Sequence, residues 1–545
     1  MFNKILNFQV KNITFGALIL AIFYFLSAVL GLFRDRLLAS HFGAGLESDV
    51  YFAAFRIPDF VYNILILGGL IVAFLPLFSE YFARNKEKAW EMTNYILNAF
   101  LVFLVSISFI LFIFTPWLIK WIFPGFGPEH LKLAIPLIRL LLLSPIIFGL
   151  SNIFSGILQY FGRFFVYGLA PILYNLGIIL GIIFLAPRFG VFGVGIGVIL
   201  GALFYFLIQF PSARNCGFFY KFLLNFKYPA VKRIFQLMVP RVFGIATQQI
   251  NLIVMMAVAS LIGSGSIAIF NFSNNLQSLP VGVIGTSFAL AVFPVLSRTW
   301  VSNQKKEFSE NFISAFSQIL FLTIPISVLF FILKTQIVRI IYQTGRFGME
   351  EAQITAACLG IFAFSIFAQS LIPLLVRAFF SFQDTKTPTI ITVSAIFLNI
   401  VLAFSFVWLM NFPNLFSNFV ENIFKVGKIE NAVIIVLPLA FSIATIFQFI
   451  LLLIFLRKKI ENLRLFEIWY SLKKILLSTL LMVIFVYFTI YLLVNFLNIK
   501  TLIGVFIQTI FAILIGLLIY ILVTILLGSP ELKTIKSSIL KQFNR

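Results

Sequence analysis

Charged side chains are scarce in this chain of 545 residues. Asp, Glu, Lys and Arg make up 11% of it, whereas a soluble domain carries roughly 25%. Hydrophobic residues make up 61%, and the mean hydropathy is +1.08. This composition excludes a large soluble domain and predicts an all-α polytopic membrane protein.

Histidine and cysteine are equally rare, with two of each. His41, His130, Cys216 and Cys358 form no HExxH or CxxC motif, so we expect no metal site, cofactor or disulfide framework. The net charge of +22 is more typical of cytoplasmic loops in a membrane protein than of a nucleic-acid surface. No nucleic-acid partner is therefore expected.

Apolar runs of about 20 residues predict about 14 transmembrane helices. Pro58 and the pair Gly68-Gly69 interrupt the second run. Basic residues collect on alternate loops, which predicts that both termini are cytoplasmic. The predicted spans are 13–33, 50–80, 92–118, 131–160, 164–186, 190–211, 235–262, 267–297, 310–333, 354–382, 388–410, 431–456, 473–495 and 501–527.

The chain repeats itself at an offset of roughly 220 residues. The string GAG at 43–45 recurs as GSG at 263–265, and AFLPLFS at 73–79 recurs as AVFPVLS at 291–297. Six predicted spans separate the equivalents, so the two repeats are parallel. We therefore predict two tandem six-helix lobes plus two C-terminal helices. The predicted boundaries are 1–225 for the N-terminal lobe, 226–460 for the C-terminal lobe, and 461–545 for the added helices and basic tail.

Six charged residues stand out in the stretch from Gly31 to Tyr81: Arg34, Asp35, Arg36, Asp49, Arg56 and Asp59. Charge at membrane depth is costly, so such residues are functional candidates. A guanidinium donates two parallel hydrogen bonds to a phosphate, which predicts that Arg34 and Arg56 bind an anionic head group in a central cavity. Asp35 and Asp49 would hold the arginines or exchange protons. The alternative is a helix-end cluster that snorkels to the interface.

Small residues also recur in the sixth predicted span, at Gly193, Gly195, Gly197 and Gly201. Their spacing imitates a nucleotide-binding fingerprint, but no strand–helix unit or acidic partner surrounds them. We expect them to allow close helix packing.

The charged stretch also carries a family resemblance. GLFRD, FGAG, Asp49 and AFRIP follow one another in order over 31–58 and resemble the signature of the MurJ (MviN) family of membrane flippases. That family lies within the multidrug/oligosaccharidyl-lipid/polysaccharide exporter superfamily. Further similar strings are AFLPLFSEY at 73–81, LAPILYNLGIILG at 169–181, LPVGVIGTSFALAVFPVLS at 279–297 and RAFFSFQDTKTP at 377–388.

The resemblance implies a two-lobed bundle in the bacterial cytoplasmic membrane that alternates between inward- and outward-facing states. It implies that the chain is a transporter that moves lipid II with its head group in a central cationic cavity. The implied partners are an undecaprenyl-diphosphate-linked substrate, membrane lipids and proteins of cell-wall synthesis. We expect a monomer.

The sequence departs from the family pattern where charge is usual. Asn274 and Asn275 replace the Asp-Arg pair of the eighth helix, and we keep both as predicted substrate-binding residues. Other usual charges are replaced by Ala28, Tyr62, Asn63 and Leu67.

Some relatives place acids for sodium where this chain has neutral amides. The equivalent residues here are Gln248, Asn251 and Asn399, which predict at most a weak ion-coupling site. The alternative is that these amides form hydrogen bonds between helices.

Other functions stay open at this stage. They are a flippase for another polyprenyl-diphosphate oligosaccharide, a drug/cation antiporter of the same superfamily, and a non-transporting scaffold of the cell-wall machinery. An enzyme is disfavoured because the loops are short and basic and lack clustered acids or histidines.

Overall fold

The computed structural model describes residues 13–424, 431–460 and 465–532, and within these ranges the elements are helical. In the first half the α-helices are α1 (Ile13–Phe42), α2 (Leu46–Val61), α3 (Ile71–Arg84), α4 (Lys86–Ile122), α5 (Pro128–Leu141), α6 (Leu143–Tyr160), α7 (Phe164–Leu180), α8 (Ala186–Phe189), α9 (Val191–Asn215) and α10 (Pro229–Ile262). They are followed by α11 (Ser266–Pro280), α12 (Ser287–Val301), α13 (Lys305–Ile332), α14 (Lys334–Ile341), α15 (Met349–Ala363), α16 (Ile366–Ser381), α17 (Lys386–Met410), α18 (Leu415–Phe424), α19 (Val436–Lys459), α20 (Leu465–Val494) and α21 (Leu502–Leu526).

Within the described residues, ten helical stretches are long and apolar enough to cross a membrane. The number rises to eleven when α15 and α16, which meet at a 45° bend, count as one span. The prediction of an all-α polytopic membrane protein is thereby confirmed. Each predicted span overlaps a helix of the structure, while the count of about 14 crossings stays a prediction.

Three helices contain a π-helical segment, in which the turn is widened by an extra residue. Tyr62–Leu70 joins α2 to α3, Gly181–Leu185 joins α7 to α8, and Val281–Thr286 joins α11 to α12. The first segment contains Gly68 and Gly69, so the predicted interruption takes the form of a wider turn. The first and third segments are separated by roughly the offset of the sequence repeat.

The chain divides into two compact units. The first comprises Met1–Ala268 with Gly345–Phe347, and the second comprises Ile269–Thr344 with Gly348–Arg545. A cluster of buried aromatic residues joins α3, α4 and α6 in the first unit, including Phe78, Phe100 and Phe154. In the second, α20 and α21 bury side chains against the core around α13. The lobe boundaries derived from the repeat stay a prediction.

Glycines bring α7 and α9 into backbone contact. A Cβ atom on Gly177 would lie 2.3 Å from the Cα of Gly201, and one on Gly197 would lie 2.6 Å from the Cα of Gly181. Atoms this close would overlap, so only glycine permits the observed approach. The predicted packing role of the glycine stripe is confirmed.

Candidate functional site

Arg34 is held on two sides within the first unit. Its Nε and Nη2 donate to Oδ1 of Asp35 at 3.0 and 2.7 Å, and its Nη1 donates to Oδ1 of Asn175 at 3.2 Å. Asn175 in turn donates to Ser27 and to the carbonyl of Pro171. The arginine of α1 is thus oriented by an amide of α7, and only 22% of its side chain is exposed.

Arg56 lies half-buried on α2, and Asp59 follows it on the same helix. Residues three apart share one helix face, and Asp59 interacts electrostatically with both Arg56 and Arg34. The buried Tyr51 and the half-buried Tyr174 belong to the same charged neighbourhood. The structure therefore brings Arg34, Asp35 and Arg56 into one polar cluster. Their role in substrate binding stays a prediction.

The formal charges of the cluster cancel, because it contains two guanidinium groups, of Arg34 and Arg56, and two carboxylates, of Asp35 and Asp59. Three of the five N–H donors of Arg34 are used in the bonds to Asp35 and Asn175. Two donors remain for an anion such as a phosphate oxygen. The cluster would therefore bind an anion through directed hydrogen bonds and not through a large positive potential.

Asp49 has a different environment. Its buried carboxylate accepts hydrogen bonds from the backbone amides of Gly265 at 2.6 Å and Ala268 at 2.8 Å. A carboxylate at the first amides of a helix satisfies donors that have no partner within the helix. The structure thus places Asp49 at the start of α11, on backbone amides instead of on an arginine.

Asn274 and Asn275 lie half-buried on α11. Asn274 accepts a hydrogen bond from Gln277 at 2.9 Å, and Gln277 accepts one from Gln369 of α16 at 2.6 Å. Gln369 also donates to Ser365, whose hydroxyl shares a hydrogen bond with Ser442 of α19. Asn274 therefore belongs to a partly buried chain of neutral polar groups inside the second unit, and its role in substrate binding stays a prediction.

The three predicted ion-coupling residues are divided between the two units. Gln248 is exposed and Asn251 half-buried on α10 in the first unit, and Asn399 is buried on α17 in the second. Neither unit by itself assembles an ion site from these residues. Ion coupling through them stays a prediction.

The predicted substrate-binding residues did not include Asp59, Asn175, Tyr51 or Tyr174. Asp59 carried a usable signal, because it stands three residues after Arg56 in an apolar run. The tyrosines and Asn175 carried none, since their approach to Arg34 depends on how α1, α2 and α7 pack.

Sequence comparisons with known proteins point to a single family. The family model described as lipid II flippase MurJ matches residues 38–507. The probable lipid II flippase MurJ of Vibrio cholerae is 29% identical over 419 residues, which cover 74% of this chain and 79% of that protein. The lipid II flippase MurJ of Burkholderia cenocepacia is 25% identical over 402 residues, which cover 72% of this chain and 78% of that protein.

Solved structures extend the comparison. A lipid II flippase MurJ in an inward closed conformation is 27% identical and superposes with a TM-score of 0.71 over 93% of this chain and 98% of its own. An inward-facing multidrug resistance MATE transporter of the MOP superfamily is 18% identical, with a TM-score of 0.65 over 80% of this chain and 95% of its own. At that identity the second likeness shows the fold alone.

Proposed function

Because the chain belongs to the lipid II flippase MurJ family, we propose that it moves lipid II across the bacterial cytoplasmic membrane by alternating access. The polar head group would enter a central cationic cavity while the polyprenyl tail stays in lipid. The protein is a multi-pass membrane protein, and the proposal has both termini on the cytoplasmic side, as the basic loops predict.

The family match carries this proposal, and the Arg34 cluster supports its chemistry. Two N–H donors of Arg34 are not engaged by Asp35 or Asn175, and Arg56 adds a second guanidinium in the same unit. Bonds between guanidinium and phosphate are charge-assisted and directional. We assign diphosphate binding to Arg34 and Arg56, with Asp35, Asp59 and Asn175 setting the orientation of the arginines.

The proposal gives the chain no catalytic step. The head group needs only to be bound and released on opposite sides of the membrane, and no bond of the substrate is broken. The remaining expected partners are membrane lipids and proteins of cell-wall synthesis, with the chain acting as a monomer.

The test replaces Arg34 or Arg56 by alanine in a bacterium whose own flippase can be depleted. Loss of a charge-assisted bond worth about 1.5–3 kcal/mol predicts that each variant translocates the precursor at least about tenfold more slowly. Translocation is measured by the access of an impermeant head-group reagent on the outer face. The exposed Arg188 provides the matched control, Arg188→Ala, which should complement fully.

Well-expressed Arg34→Ala and Arg56→Ala variants that translocate lipid II at the full rate would refute the assignment of these residues. Failure of the parent chain to complement, combined with export of a cationic dye from cells, would instead favour a drug/cation antiporter.

A further inference from the structure

Residues 217–228, with the sequence GFFYKFLLNFKY, connect α9 to α10 without forming a helix. We call this segment the strap. It combines aromatic residues and two leucines with two lysines and has no acidic residue. None of its residues takes part in the function proposed above.

Two asparagines of α4 fasten the strap along that helix. Asn94 donates to the carbonyl of Phe219 and accepts from the amide of Lys221, at 3.0 and 2.8 Å. Asn98 donates to the carbonyls of Lys221 and Leu223 at 3.0 and 3.1 Å, and it accepts from the hydroxyl of Tyr220 at 2.9 Å.

A position of the strap at membrane depth would explain why the two asparagines bind its backbone. Non-helical backbone exposed to lipid must find its hydrogen-bond partners within the protein. Asn94 and Asn98 are both buried, and they lie inside the predicted span 92–118. They supply to the strap the bonds that water would supply outside the membrane.

The two ends of the strap are also fixed. Phe218 is buried in the aromatic core of the first unit, 5.4 Å between ring centres from Phe154. Tyr228 stacks on Tyr95 with ring centres 4.3 Å apart, immediately before α10 begins at Pro229. The strap therefore has a defined outward face instead of being a free loop.

That outward face is aromatic. Phe219 is 60% exposed, Phe222 is 70% exposed and Phe226 is 50% exposed. Phe side chains of segments that lie on a membrane, like those of Trp and Leu, are buried at the boundary between head groups and acyl chains. In water, three such rings on a fixed backbone would be unfavourable.

Basic side chains surround the aromatic face. Lys221 and Lys227 are exposed within the strap, and the exposed Arg214 precedes it with its guanidinium 6.0 Å from the ring centre of Phe219. Lys232 is exposed on the first turn of α10. Basic residues next to an anionic leaflet attract its head groups over about a Debye length.

We propose that the strap is a binding surface for anionic phospholipids of the adjacent leaflet. Its aromatic side chains insert among the acyl chains, and Lys221 and Lys227 pair with the phosphates of the head groups. The buried Asn94 and Asn98 keep the strap's backbone in place along α4.

The test uses the full chain in proteoliposomes, with Phe222→Trp as a reporter and the parent chain as the fluorescence background. The reporter should be quenched by brominated phosphatidylglycerol and, more weakly, by brominated phosphatidylcholine. Lys221→Gln combined with Lys227→Gln should lower the preference for the anionic quencher by about fivefold per lysine. The matched control is Lys305→Gln with Lys306→Gln, two exposed lysines of α13, which should leave it unchanged.

A second measurement needs no charge variant. In the Phe222→Trp chain, raising the salt concentration to about 1 M shortens the Debye length to about 3 Å and should remove the preference for the anionic quencher while leaving quenching by the neutral lipid. Quenching of the reporter only by a water-soluble quencher would overturn the proposal. Lipid quenching without any anionic preference at low salt, or an anionic preference that persists at about 1 M salt, would overturn it equally.

Discussion

At the scale of single residues, the charged side chains near α1 and α2 have separate partners. Arg34 contacts Asp35 and Asn175, whereas Asp49 contacts only backbone amides among the hydrogen bonds described. The sequence predicted that these residues are buried and polar, because charge is costly in an apolar run. It could not predict the partners of Asp49, which lie 216 and 219 residues further along the chain.

Asp49→Ala should destabilise the protein more than Asp49→Asn. Alanine leaves the amides of Gly265, just before α11, and of Ala268, in its first turn, without this acceptor, while asparagine keeps one acceptor oxygen. Loss of a cap of this kind costs about 1–2 kcal/mol, and loss of the carboxylate charge adds up to about 2 kcal/mol. The melting temperature in detergent measures the difference.

The exposed Glu310 gives the control variant Glu310→Ala, which should melt like the parent chain. Equal melting temperatures for Asp49→Ala and the parent would contradict the capping role.

At the scale of helices, apolar runs located the helices because a transmembrane helix requires about 20 consecutive apolar residues. The sequence could not show that the interruptions within these runs are π-helical, because an extra residue in one turn leaves no periodic signal in a uniformly apolar sequence. The strap along α4 was equally hidden, because Asn94 and Asn98 look like ordinary polar residues of a helix until residues 219–223 are placed beside them.

Replacing Gly201 by alanine should loosen the contact between α7 and α9. A Cβ atom there would lie 2.4 Å from the carbonyl oxygen of Tyr174, so one helix must move away. Overpacking of this kind costs about 1–3 kcal/mol, which should appear as a lower melting temperature. Gly31→Ala is the matched control, because nothing lies within 4 Å of the added Cβ; equal effects of the two variants would argue against close packing as the cause.

Asp384, between α16 and α17, gives a pH-dependent contact. Partial burial would raise the pKa of its carboxyl, but hydrogen bonds from Lys459 and from the amide and hydroxyl of Thr387 lower it to about 2, from an ordinary value of 3.8. A carboxyl whose pKa is lower in the folded state than in the unfolded state stabilises the folded protein at pH values above the unfolded-state pKa. This stabilisation is lost as the pH falls through the folded-state pKa.

Asp384→Asn should therefore lower the melting temperature by roughly 1–3 °C at pH 7, the size expected for a partly exposed ion pair. The gap to the parent chain should persist down to about pH 4 and shrink as the pH approaches 2. Thermal unfolding in detergent across this range measures it. If the difference in melting temperature does not change with pH, the charge of Asp384 does not cause it. Glu350→Gln, at an exposed position, serves as the control.

At the scale of the whole molecule, the fold follows from features that the sequence displays openly: long apolar runs, an internal repeat and a family signature over most of the chain. Arg34, Asp35 and Arg56 belong to one polar cluster, while their role in substrate binding stays a prediction. Asp59 is visible in the sequence as a charge in an apolar run, whereas the approach of Asn175 and Tyr174 to Arg34 depends on packing that the sequence alone does not reveal.

Topology provides the prediction for the whole chain. In a background of Cys216→Ser and Cys358→Ser, single cysteines at Asn3→Cys or Asn544→Cys should react with a membrane-impermeant maleimide only after the cells are permeabilised, because basic loops stay in the cytoplasm. Glu129→Cys, in the first turn of α5 and predicted to lie on the opposite side of the membrane, should react in intact cells. Labelling of either terminus in intact cells would contradict the proposed orientation.

The widened turns at Tyr62–Leu70 and Val281–Thr286 also set the direction in which the following helix presents its side chains. One extra residue rotates everything after it by about 100° relative to a regular α-helix. A helical wheel continued from α2 into α3, or from α11 into α12, would therefore assign the wrong residues to the buried and exposed faces of the second helix. Shortening either segment by one residue would turn the prolines of α3 and α12, Pro76 and Pro294, away from their present neighbours.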